Sequence, residues 1–162
     1  MRWVVACLAG LAVGVGLLLG LSKVLGGPPH KAVMGAVAGG CVATLQCSVL
    51  RRHVSRSVGW VAASMVAWGV GAAAELVGGF PLSIAVLAVL AGTLQWLVLR
   101  GQVSRGGWWV VVNIVAWSVF LGLVEAMSQL ANPAVGIGVG FAFVGAITGL
   151  AFVWMLRAEP VP

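Results

Sequence analysis

The chain has 162 residues and a mean hydropathy of +1.14, with 62% of its residues hydrophobic and only 7% charged. Two Lys, seven Arg and three Glu make up the whole charged complement, with no Asp and no Tyr, so the charged coat of a water-soluble domain cannot be assembled and that class is excluded. The net charge of +6 would suit nucleic acid if the basic residues shared one exposed face. Every Arg instead stands at or beside the end of an apolar run, where positive charge marks topology, so no nucleic-acid partner is expected.

The first apolar run extends from Trp3 to Leu25, after Arg2 and before Pro28-Pro29. It is too long for the roughly 7 to 15 apolar residues of a signal peptide and reads as a span. Five more runs follow: Val33 to Leu50, Val58 to Val77, Leu82 to Leu99, Gly107 to Met127 and Val135 to Leu156. Each approaches the ~20 helical residues that cross about 30 Å of hydrocarbon, and each is nearly twice the length of a spanning strand. The expectation is an all-α membrane protein, a single transmembrane domain over residues 1–162 with six transmembrane helices.

The connections sort into two kinds. Those after runs two and four, Arg51 to Ser57 and Arg100 to Gly106, are Arg-rich, whereas those after runs one, three and five carry Pro28-Pro29, Pro81 and Pro133. One side therefore collects the interface basic residues Arg2, Arg51, Arg52, Arg56, Arg100, Arg105 and Arg157 against Glu159, and the other balances Lys23 and Lys31 against Glu75 and Glu125. The positive-inside rule makes the Arg side cytoplasmic, which predicts a multi-pass protein of the cell (inner) membrane with both termini cytoplasmic.

A repeat underlies this order. Leu45 to Arg51 matches Leu94 to Arg100 at an offset of 49, and at the same offset Val54-Ser55-Arg56 matches Val103-Ser104-Arg105, Trp60 matches Trp109, Ser64 matches Asn113 and Ala67-Trp68 matches Ala116-Trp117. A third, degenerate copy runs from Gly149 to Arg157 and places Phe152 where Gln46 and Gln95 stand. The six helices should thus form three two-helix hairpins, all pointing the same way, around an approximate threefold axis. The strings Leu94-Gln95-Trp96-Leu97-Val98-Leu99-Arg100 and Val103-Ser104-Arg105-Gly106-Gly107-Trp108-Trp109 resemble the LQWLVLR…VSRAGWW repeats of uncharacterised polytopic membrane proteins found largely in cyanobacteria and other phototrophic bacteria. The resemblance is close from Gly92 to about Trp117 and weaker from Ala43 to Trp68. It implies a multi-span membrane protein and carries over no catalytic residue.

The polar side chains inside the runs are the candidate site. Gln46 and Gln95 precede Arg51 and Arg100 by five residues, and Ser64 and Asn113 follow Arg56 and Arg105 by eight, so the two sets lie at similar depth from the Arg side. Hydrogen bonds between them, Gln95 to Asn113 and Gln46 to Ser64, would satisfy both in hydrocarbon; the alternative is a lining for a substrate or ion. Glu75 and Glu125, near the outer ends of their runs, read as solvated interface carboxylates or as a proton or cation uptake point. His30 and His53 lie in basic loops with no second ligand at metal spacing, and Cys7, Cys41 and Cys47 read as small hydrophobes, so no metal or other cofactor is expected. Trp3, Trp60, Trp108 and Trp109 suit an interfacial belt, Trp96 and Trp154 the same or nearly so, while Trp68 and Trp117 suit packing. The pairs Gly10/Gly14, Gly16/Gly20, Gly35/Gly39, Gly136/Gly140 and Gly145/Gly149 should face neighbouring helices.

No Gly-x-Ser-x-Gly, His-Glu-x-x-His or Walker pattern occurs, and three carboxylates leave little for acid-base chemistry, so no enzyme is expected. The sequence points to a structural or assembly role through helix contacts with lipid, other membrane proteins or another copy of itself. The second reading is a small channel or transporter for a neutral or weakly polar solute.

Overall fold

The computed structural model describes residues 2–25, 30–51, 55, 57–103, 105–130 and 132–157. Pro28, Pro29, Arg52, His53, Arg56 and Glu159 lie outside the described residues. Every regular element among the described residues is helical: α1 (Arg2–Leu25), α2 (Lys31–Leu50), α3 (Ser57–Leu99), α4 (Trp108–Leu130) and α5 (Pro133–Leu156). All five are long and apolar enough to cross a membrane. The sequence reading expects six helices. The difference is α3, whose 43 residues include both the third and the fourth apolar runs.

A straight helix of that length would extend about 65 Å at 1.5 Å per residue. Instead the helical backbone fails at Gly78 (φ -132°, ψ 18°) and Gly79 (φ 71°, ψ -171°). Gly79 lies in the left-handed region that only glycine enters without strain. The loop expected around Pro81 is thus reduced to two glycines, and Pro81 already sits in the first turn of the second half, where a missing N–H leaves no bond unmade. The two halves then run back along each other. A Cβ on Gly71 would stand 2.9 Å from that of Leu87, one on Gly59 would stand 3.4 Å from Val98, and Gln95 bonds to Ser64 across the seam.

Local caps account for the starts of α2 and α5. His30 Nδ1 accepts from Ala32 N at the head of α2, and Asn132 Oδ1 accepts from Ala134 N at 2.8 Å, with Pro133 as the first residue of α5. His30, placed by the sequence in a basic loop without metal-ligand partners, is therefore the α2 cap.

Each helix packs on the next, α1 on α2, α2 on α3, α3 on α4 and α4 on α5, and α5 returns to α1, so the bundle closes into a ring. Glycines permit the close approaches. Cβ atoms at Gly10 and Gly14 would press on Val42 and Ala38 of α2 at 2.5 and 3.1 Å, Gly35 and Gly39 accept the Trp68 backbone and indole, Gly136 and Gly140 meet Val124, Met127 and Phe120, and Gly145 and Gly149 meet Val4, Cys7 and Trp3. Gly16 and Gly20 have nothing within 4 Å, so the expectation that they pack a neighbour fails. Two residues beyond Gly14 is some 200° around the helix, which turns that pair away from α2.

Candidate functional site

The heads of α1, the first half of α3 and α4 carry Trp3, Trp60 and Trp109, and helical periodicity then brings Cys7, Ser64 and Asn113 to the same face four residues on. All six are buried: the tryptophans are 6%, 0% and 1% exposed and the three smaller residues also face inward. The aromatic-belt reading of these three tryptophans is therefore corrected. Their depth suits an interface, but their faces of the helices point to the axis, where the rings meet at 6.2 Å (Trp3 to Trp60), 6.4 Å (Trp3 to Trp109) and 5.4 Å (Trp60 to Trp109). Trp108, one residue and about 100° round from Trp109, is 56% exposed and meets Trp154, itself 44% exposed, with the Arg105 guanidinium 4.7 Å over the Trp154 ring.

A buried indole N–H needs an acceptor, and each of the three finds one on a different helix. Trp60 Nε1 donates to Gln46 Oε1 at 3.0 Å, Trp109 Nε1 to Gln95 Oε1 at 2.8 Å and Trp3 Nε1 to Thr148 Oγ1 at 3.0 Å. These bonds join α3 to α2, α4 to α3 and α1 to α5, so they run round the ring. The glutamine amides then donate the other way, Gln46 Nε2 to Cys7 Sγ at 3.2 Å and Gln95 Nε2 to Ser64 Oγ at 2.9 Å. Ser64 and Asn113 also donate to the backbone oxygens of Trp60 and Trp109, one turn before them.

The expected Gln95–Asn113 and Gln46–Ser64 bonds are not formed. All four residues do sit at one level, but the carbonyl oxygen of each glutamine goes to a tryptophan, which reaches farther than Asn or Ser across the gap between hairpins. The sequence also missed Thr148. In α5 Phe152 occupies the glutamine position and stacks on Trp3 at 5.4 Å and 15° between planes, and the acceptor role passes to Thr148, one turn deeper on the same face. The signal was present as a lone Thr, four residues before Phe152, in an otherwise apolar run.

Cys7, Gln46, Ser64, Gln95, Asn113 and Thr148 line one cavity of about 30 Å³. Such a volume holds about two waters, taking ~10–15 Å³ for each. On its Arg side stand the Trp3, Trp60 and Trp109 rings, with Leu50, Leu99 and Met155 packed around them. On the other side Trp68, Trp117, Phe120 and Phe141 form a second aromatic layer, with Trp68 to Trp117 at 5.5 Å and Phe120 to Phe141 at 5.3 Å, so the packing expected of Trp68 and Trp117 is observed. No buried side-chain nitrogen or oxygen among the described residues lacks a partner.

The remaining candidates stand apart from this centre. Arg51 and Arg157 cap the ends of α2 and α5 through their backbone N–H groups, Arg100 follows α3, and all three, like Arg105, have exposed side chains. The Arg-rich loops touch each other, Gln102 Oε1 accepting from the N–H and hydroxyl of Ser55 at 2.8 and 2.9 Å. Toward the opposite end Glu75 pairs with Lys31 at 2.7 Å and half-exposed, while exposed Glu125 accepts a long 3.3 Å bond from Gln129. The two carboxylates have separate partners and neither lines the central cavity. No cluster of metal-ligating side chains occurs among the described residues. No family model, curated protein or solved structure matches the chain.

Proposed function

We propose that this chain is a structural or assembly component of the cell (inner) membrane, acting through helix contacts with lipid and other membrane proteins and catalysing no reaction. We read the two halves of α3 as separate spans, which makes six spans in three hairpins with Arg2 and Arg157 both on the cytoplasmic side. The observation that carries the role is how the interior polar groups are used: the three indoles, two glutamines and Thr148 bond to one another or to nearby side chains and backbone, between two aromatic layers. Groups committed in this way rigidify a bundle, whereas a substrate path needs groups free to exchange partners. The resemblance of the Leu94 to Trp109 strings to uncharacterised polytopic proteins of phototrophic bacteria supports a multi-span membrane protein and assigns it no role.

One observation favours the second reading. Gln46, Ser64, Gln95 and Asn113 face a common cavity, as a vestibule for a small neutral solute would require. Two experiments separate the readings. Affinity purification in mild detergent should retain a reproducible membrane partner, and proteoliposomes should show no more flux of water, urea or glycerol than empty vesicles; solute flux lost on widening the side chain at Ser64 would replace assembly by transport. Topology is tested independently. Alkaline-phosphatase fusions after Gln102 should be inactive and those after Gly79 active, and an active fusion after Gln102 would overturn the orientation.

A further inference from the structure

We infer that the groove between the Arg ends of α1 and α5 is a binding site for one anionic phospholipid, with an acyl chain along the groove and the headgroup phosphate on Arg2. The inference rests on the membrane location proposed above and not on the assembly role. The groove is about 620 Å³ and apolar over its length, with Arg2 at its mouth. Its floor is the stacked pair Trp3 and Phe152, and its walls include Val5, Leu150 and Val153, which are 59%, 73% and 46% exposed. Its deepest residue on α5 is Ala146, eleven positions before Arg157, or about 16 Å at 1.5 Å per residue and close to half of a ~30 Å hydrocarbon core. That is the depth of one leaflet. A transmembrane partner helix would engage the full thickness, so the groove suits a lipid chain better than a second helix.

Charge selects the headgroup. The three helices that line the groove each carry an Arg at this end, Arg2 on α1, Arg51 after α2 and Arg157 after α5. Among the described residues Lys31 stands at the head of α2, its partner Glu75 just before the α3 break and Glu125 near the end of α4, all away from the Arg ends, so no described carboxylate competes for these guanidiniums. An uncompensated guanidinium at headgroup depth is a donor fork for phosphate, and the attraction to an anionic surface is several-fold in affinity per basic residue. Arg105 is held differently, over the Trp154 ring.

The test is native mass spectrometry of the purified protein with equimolar phosphatidylglycerol and phosphatidylcholine of identical acyl chains. One phosphatidylglycerol should be retained per chain, at least about fivefold in preference to phosphatidylcholine. Arg2→Gln should remove most of that preference, Ala146→Leu should lower retention of both lipids by narrowing the groove, and Lys23→Gln at the other end should change neither. Arg2 is exposed, so its variant folds and decides the matter even if the groove variant does not. Equal retention of the two lipids, a preference that survives Arg2→Gln, or a dimer that excludes lipid would each overturn the inference. Failure of the assembly role would leave these spectra unchanged.

Discussion

Gln95 is the residue at which the hydrogen-bond network is most exposed to perturbation, because it accepts from Trp109 Nε1 at 2.8 Å and donates to Ser64 Oγ at 2.9 Å from an internal position. Gln95→Leu removes both bonds while keeping most of the volume. It leaves the Trp109 N–H, in a ring that is 1% exposed, without an acceptor, and an orphaned buried donor costs about 1–3 kcal/mol. Ser64 is spared, since its hydroxyl still donates to the Trp60 carbonyl. The expected loss is therefore about 2 kcal/mol, set mainly by the indole. Trp109→Phe should lose a similar amount through the Gln95 oxygen and the smaller ring. The double variant should be less damaged than the sum of the two by about 1 kcal/mol, because removing both partners leaves nothing unpaired. Gln95→Leu with Asn113→Leu should show a smaller coupling than Gln95 with Trp109, since that pair shares the cavity and Trp109 but no hydrogen bond joins it. Reversible unfolding in bicelles, followed by circular dichroism, measures the wild type and the five variants of the two cycles, Asn113→Leu alone included. Equal coupling in the two cycles, or strict additivity for Gln95 with Trp109, would refute the assignment of the bond.

Three further outcomes follow from the same geometry. Thr148→Val should destabilise by about 1–2 kcal/mol by stranding the Trp3 N–H, while Thr148→Ser, which keeps the hydroxyl, should be close to neutral in the same unfolding assay. Gly39→Leu should prevent folding or displace Trp68, whose ring atoms would stand 2.5 to 2.8 Å from the new Cβ, whereas Gly16→Ala should be neutral or stabilise by up to about 1 kcal/mol because nothing lies within 4 Å; equal losses at the two sites would contradict the packing. Glu75→Gln should change stability by less than about 1 kcal/mol, since its pair with Lys31 is 34% and 44% exposed, and a loss of several kcal/mol would show the carboxylate to be buried in the membrane-embedded protein.

The apolar runs, their lengths and the Arg clustering are local or cumulative properties, so the all-helical class and the approximate helix ends could be read from composition and spacing alone. The 49-residue offset likewise put Gln46 with Gln95 and Ser64 with Asn113, at the right depth. Depth is a count along a helix. Direction around the axis is not, because it depends on which face each neighbour covers, and only the closed ring of helices turns Trp3, Trp60 and Trp109 inward while it leaves Trp108 outside and Gly16 and Gly20 unpacked. The same holds for partners. Gln, Ser, Asn and Trp at one level allow many pairings, and the choice of tryptophan over asparagine for each glutamine oxygen is made by the distance between helices that glycines set elsewhere. Thr148 shows this most plainly: one turn away from its repeat position, it takes the acceptor role because Phe152 fills the glutamine's place against Trp3.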